Sequence, residues 1–198
     1  MTNLALVELE PVEAPEDAQH RFAAITYKGK TWDLSHLDSF AFRCEVTPGV
    51  LVDVVVFFSC HCFTHSLKKD RRPRHLIPDA EIFNDGREER VLDQERYELS
   101  LLLLSNMARE LPKRRIIVAD ENRHNYVTWE VHNGDGSKSL YAVFFEAARD
   151  KKRKGRVLLY IQSAYRLEKG LKKRQKEAGK VSWRKLVKAA YEGKTIRP

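Results

Sequence analysis

Hydrophobic and polar positions alternate in enough places to sketch most of the chain. Two β-prone runs in ITYKGKTW, residues 25–32, flank Lys28-Gly29 and predict a hairpin. FAFRCEV, residues 40–46, reads as a strand that ends before Pro48-Gly49. VLVDVVVFFSCHCF, residues 50–63, follows and is the strongest strand pattern, rich in β-branched and aromatic side chains. Residues 64–87 hold Pro73, Pro78 and Asn84-Asp85-Gly86 and are expected to form a long polar loop. Tyr97, Leu101 and Leu104 fall at helical spacing, so a helix is predicted from Arg87 to Glu110, stopping before Pro112. Three more strands are expected over NYVTWEVHN (125–133), SLYAVFFEA (139–147) and RVLLYIQSAYR (156–166), the first two joined by the turn signal NGDG. SWRKLVKAAYEG, residues 182–193, predicts a short last helix. The expected fold class is α+β: a twisted, mainly antiparallel sheet packed against one long helix, with a short C-terminal helix.

Composition adds a domain plan. With 198 residues and 42% hydrophobic content, the chain suits one compact domain over 21–198. Residues 1–20 carry five acids and no Lys or Arg, and Pro11 and Pro15 break them up, so they are expected to form an acidic flexible arm. No apolar run approaches the roughly 18–20 residues of a membrane span. The start lacks the basic, then apolar, pattern of a signal peptide, and three cysteines are an odd number, so the expected location is the cytoplasm, with no membrane partner.

Charge points to a partner. Residues 149–185 hold fifteen Lys or Arg against three acids, while the whole chain carries +8. A basic segment this dense releases counterions when it neutralises phosphates, so RNA or another polyanion is the expected ligand. The candidate contacts are Lys151, Lys152, Arg153, Lys154, Lys172, Lys173 and Arg174, with Tyr160, Gln162 and Arg166 on the last long strand.

FFSCHCFTHS, residues 57–66, offers thiols and imidazoles. If residues 54–62 run as one strand, Cys60 and Cys62 share a face with Val54, Val56 and Phe58 and are buried, while His61 points to the other face. Zinc ligands come in pairs such as C-x2-C, and no second pair exists, so no metal is expected. His61 is the candidate acid–base group, since an imidazole titrates near neutral pH. Arg96, one helical turn from Ser100, is a candidate phosphate clamp. The phosphate loops, the H-E-x-x-H helix and the G-x-S-x-G elbow are absent, and no cofactor is expected.

FSCHCFTHS, ERYELS and YIQSAY, in this order, resemble the bacterial stationary-phase growth adaptation proteins, often encoded by mobile or prophage-like DNA. The resemblance runs from about Tyr27 to the C-terminus and implies no particular activity. At the level of fold, the expected helix and sheet are similar to the RelE and barnase-like ribonucleases, which are shorter chains. That likeness implies a toxin-like, metal-independent endoribonuclease. His61 would be the general acid or base, Arg96 or Arg166 the phosphate clamp, and Tyr165 or Tyr160 a stacking or proton-relay group. An antitoxin-like protein partner would accompany it. The expected function is therefore RNA binding, with nuclease action as its catalytic form. The alternative is a non-catalytic interaction module docking on a nucleoprotein or protein.

Overall fold

The strands that the alternation outlines do form, and their order in space is what the sequence conceals. A computed structural model describes residues 10–118, 125–132 and 136–196, without the side chain at position 174. Near the N-terminus β1 (Glu10–Val12) precedes the hairpin of β2 (Ile25–Tyr27) and β3 (Lys30–Trp32). Lys28 and Gly29 both take positive φ, 49° and 76°, as this two-residue turn requires. Next come β4 (Phe40–Thr47) and β5 (Val50–Phe58), then three short strands, β6 (Thr64–Ser66), β7 (Ile82–Asn84) and β8 (Glu89–Leu92). Past the helices lie β9 (Arg115–Ile117), β10 (Asn125–His132), β11 (Lys138–Arg149), β12 (Arg156–Leu167) and β13 (Lys180–Ser182).

Among the described residues the main sheet has eight strands, in the order β1-β4-β5-β12-β11-β10-β9-β13. At its centre β5 runs parallel to β12, Val54 opposite Val157 and Phe57 opposite Tyr160. This overturns the expectation of a mainly antiparallel sheet against one long helix. The sheet is mixed, and its two halves, β1-β4-β5 and β12 to β13, meet in that parallel pair. Local turn chemistry announces hairpins, whereas a parallel pair needs a long crossover and leaves no turn signal. The one trace is the unbroken run Val54-Val55-Val56, each fully buried, as befits a strand covered on both faces.

The long helix is also not the simple element expected. Its start is β8, because Val91 and Leu92 pair in a second, three-stranded sheet β6-β8-β7 that replaces the expected polar loop. Asp93 then caps α1 (Gln94–Leu99) by accepting the Arg96 backbone N–H. A π-helical turn at Ser100–Leu104 separates α1 from α2 (Ser105–Glu110). The wide turn adds a residue to the step between core positions. Leu99 and Leu104 are buried, and Leu101 and Leu102 are exposed. Leu101 therefore leaves the face that regular spacing assigns to it.

Two helical layers share one face of the main sheet. Leu104, Met107, Ala108 and Leu111 pack there with Trp183, Leu186, Val187 and Ala190 of α4 (Trp183–Glu192). The far face is covered at one edge by Val12, Ala14 and Ala18, which pack with Ala41, Val55 and Leu158. Asp17 fixes this arm by accepting hydrogen bonds from Arg153 (3.1 Å) and Arg156 (2.9 and 3.0 Å). Residues 133–135 of the NGDG turn and part of the segment before Tyr126 lie outside the described residues, although β10 and β11 pair as the hairpin predicts.

Candidate functional site

β5 stops at Phe58, four residues earlier than alternation implies. Ser59 accepts the His61 backbone N–H (3.1 Å) and donates its hydroxyl to the Gln162 carbonyl (2.7 Å), folding Cys60–Cys62 into a 3-10 turn against β12. Both cysteines are buried, as expected, but the turn rather than a strand face buries them. His61 is consequently not on the opposite sheet face. Its side chain is about one-third exposed, and Nε2 lies 3.5 Å from Glu88 Oε1. Burial pushes its pKa below the ordinary imidazole value, and the nearby Arg90 adds to the effect.

The three sequence motifs meet around Arg96. Its Nη1 donates to the carbonyls of His61 and Thr64, each at 2.9 Å, and its guanidinium carbon lies 4.7 Å from the Tyr165 ring centroid. His61, Arg96 and Tyr165 therefore share one place in the fold. Yet Arg96 is largely buried and engaged by main-chain oxygens, which makes it a brace for the 3-10 turn. Burial also lowers its pKa, against the opposing pull of Asp93.

Acids and a second arginine that the sequence did not single out complete the cluster. The loop at Asp85 folds back so that Asp85 Oδ1 accepts the N–H groups of Arg87 (2.9 Å) and Glu88 (3.0 Å). Its Oδ2 stands 3.5 Å from Cys60 Sγ. Cys60, His61 and Asp85 can each offer one donor atom, all within 4.8 Å of one another. Arg90 is buried, donates to Thr64 Oγ1 (2.8 Å) and pairs with Glu88. Beside them His65 bridges Asp93 (3.0 Å) and Asp70 (3.3 Å). Asp85 sat in the apparent loop, and only the antiparallel pairing of β7 with β8 carries it back to β5.

The last long strand breaks its own alternation. Phe144 pairs with Ser163 and Phe145 with Ile161, so Gln162 is an extra, bulged residue. As a result Tyr160 and Tyr165 come to the same far face, where simple counting separates them, while Ile161 and Ala164 both enter the core. Tyr160 is exposed and stacks on Phe57 (5.2 Å, 19°), and Tyr165 stacks on Phe144 (5.4 Å, 20°). Lys69 lies over the Tyr165 ring at 5.4 Å. Arg166 turns to the helical side, with Nε 3.2 Å from Glu95 Oε1 but outside hydrogen-bond alignment.

The basic residues divide between two places. Lys151, Lys152, Arg153 and Lys154 are exposed in the turn before β12, where Arg153 is paired with Asp17. Lys172 and Lys173 are exposed at the start of α3 (Lys173–Lys176), and the side chain of Arg174 lies outside the described residues. No ion pair involves Lys151, Lys152, Lys154, Lys172 or Lys173 among the described residues.

Fold and site together define a mixed-sheet protein with a Cys–His–carboxylate–arginine cluster at the end of its central strand pair and an aromatic far face beside it. The chain belongs to the YjaZ family, whose model matches residues 24–191. Protein YjaZ of Escherichia coli (strain K12) is 30% identical over 110 residues, covering 56% of this chain and 57% of that relative. The matched region thus spans little more than half the length of the curated relative. No solved structure matches the chain. No helix among the described residues is long and apolar enough to cross a membrane.

Proposed function

We propose that the protein binds single-stranded nucleic acid, RNA in the first instance, through the far face of its sheet. The observation that carries this reading is the exposed Tyr160 stacked on Phe57, on a strand that begins at the basic turn Lys151–Lys154. An aromatic face accepts any base, at about 1–3 kcal/mol per stacked base, and unpaired lysines supply the phosphate contacts. Lys69, which lies over the Tyr165 ring, adds a cation beside this face. The reduced cysteines accord with a cytoplasmic setting, and the resemblance to stationary-phase growth adaptation proteins directs attention to RNA handled as growth slows.

The endoribonuclease form of this reading rests on His61. It is the weaker form, because Arg96 is bound to two carbonyls and does not offer a phosphate clamp. Docking on a protein partner is the second reading, and the exposed Leu101 and Leu102 on the π-helical turn favour it.

Fluorescence anisotropy with a labelled single-stranded RNA of about 20 nucleotides tests the first reading, since one such strand spans the site of a typical single-strand binder. Binding should weaken steeply with salt, and Tyr160→Ala should raise Kd about fivefold or more. A double Lys151→Glu, Lys154→Glu variant should flatten the salt dependence. Absence of binding even at low salt would sink the proposal. Incubating the same RNA with the protein in EDTA, with His61→Ala as control, decides whether binding leads to cleavage.

A further inference from the structure

We propose that Cys60, His61 and Asp85 form a zinc site at the end of the central strand. The inference is independent of nucleic-acid binding.

Ligand pairs are absent along the chain, but the three-stranded sheet delivers a third candidate ligand, Asp85, from a distant segment. Cys60 Sγ, a ring nitrogen of His61 and a carboxylate oxygen of Asp85 lie within 4.8 Å of one another. In a tetrahedral zinc site, bond lengths of about 2.0–2.3 Å place donor atoms roughly 3.3–3.8 Å apart. The Cys60 Sγ to Asp85 Oδ2 separation is already 3.5 Å. The remaining closure is about 1 Å, within the reach of a His61 ring that is partly exposed. Sulfur, imidazole and carboxylate together form the donor set that zinc takes in preference to the all-oxygen sets of magnesium or calcium.

Hydrogen bonds also hold the candidate ligands in place, as outer-shell partners do at metal centres. Asp85 spends one oxygen on the N–H groups of Arg87 and Glu88, which leaves Oδ2 turned to Cys60. Ser59 fixes the His61 backbone, and the Thr64 hydroxyl donates to the Cys60 carbonyl at 2.7 Å. With three protein ligands, a fourth position is left for water on the solvent side, where Glu88 stands 3.5 Å from His61 Nε2. On binding, the Cys60 thiol proton passes to solvent and the sulfur joins the metal as thiolate, with no change of oxidation state.

The full-length protein, stripped with EDTA and dialysed, is titrated with Zn2+ by calorimetry and, in parallel, with Co2+ by absorption. The expected result is one metal per chain and a thiolate-to-cobalt charge-transfer band. Both should be lost in Cys60→Ser and in Asp85→Asn and kept in Cys44→Ala, since Cys44 lies in the core beneath α4. Asp85 is exposed on a turn, so its variant is expected to fold, as circular dichroism will show, and it keeps the test decisive where Cys60→Ser loses structure. Binding well below one equivalent, a cobalt spectrum without the thiolate band, or a folded Asp85→Asn that binds as the parent does would each overturn the proposal.

Discussion

The guanidinium of Arg96 lies over the ring of Tyr165 at 4.7 Å while its Nη1 holds the carbonyls of His61 and Thr64. One side chain thus ties the start of α1 to β12 and to the turn that carries the cluster. Removing it leaves two main-chain acceptors in a nearly dry place. Arg96→Met is expected to destabilise the fold by about 3 kcal/mol, and Arg96→Lys should recover only part of that, since an ammonium lacks the planar fork. Urea unfolding measures both. A loss under about 0.5 kcal/mol for the Met variant, the range of ordinary surface changes, would contradict the bracing role.

A second test concerns the arm. Asp17 is held well below the usual carboxylate range, first by its hydrogen bond to Arg156 and then by Arg153. Asp17→Ala should release residues 10–18 from the sheet edge and leave the rest of the fold intact. Limited proteolysis should then cut near Glu13–Glu16 at least several-fold faster, with an unchanged remaining core. Equal cleavage rates in parent and variant would show that apolar packing by Ala18 is enough to hold the arm.

The strands were legible because their turns were local, and what lay between them was not. Lys28-Gly29 and the β-branched run of β5 report themselves in a few consecutive residues. The parallel pairing of β5 with β12 joins segments that share no turn, and the π-helical turn shifts Leu101 to the surface without any glycine or proline to mark it. In the candidate site, His61, Arg96 and Tyr165 stand out in the sequence because each is a residue type that chemistry favours, and the fold brings the three together. Asp85 was hidden in a segment too rich in Pro, Asn and Gly to read as sheet, and Glu88 and Arg90 in a charged run that reads as the start of a helix and instead enters β8. The bulge at Gln162 had a still weaker signal, since no residue type demands one there.

Thiol reactivity provides a third prediction. Burial pushes Cys44 up to about 11, and Cys60 and Cys62 up to about 12. At pH 8 almost no thiolate exists, and the thiolate is the reactive form. The EDTA-treated native protein should therefore resist a disulfide-exchange reagent over minutes, and all three cysteines should react at once in denaturant. A fast-reacting thiol in the native state would mean that one of these side chains reaches solvent.

Acid sensitivity is the fourth. His36 donates or accepts at 2.8 Å to the Ser100 hydroxyl on the π-helical turn, and burial pushes its pKa below the ordinary 6.5. As pH falls through about 6.5, the unfolded chain takes up a proton that the folded chain resists, so stability drops on the acid side. Unfolding midpoints should fall from neutral pH towards about pH 5, and His36→Gln should flatten that slope. His61, lowered by the same cause, acts in the same direction, so the slope will not vanish. A variant that kept the full slope would exclude His36 as a contributor.

The meeting of Ser59 with Gln162, 103 residues apart in sequence, has a consequence during synthesis. Until β12 leaves the ribosome, β5 has only β4 beside it and exposes a valine-rich edge that its final neighbour will cover. Pairing across such a separation is slow, and open edges of this kind attract other chains. The nascent first half is therefore a natural client for a holding chaperone. Truncations that end before residue 156 should collect in inclusion bodies, and those that retain β12 should not.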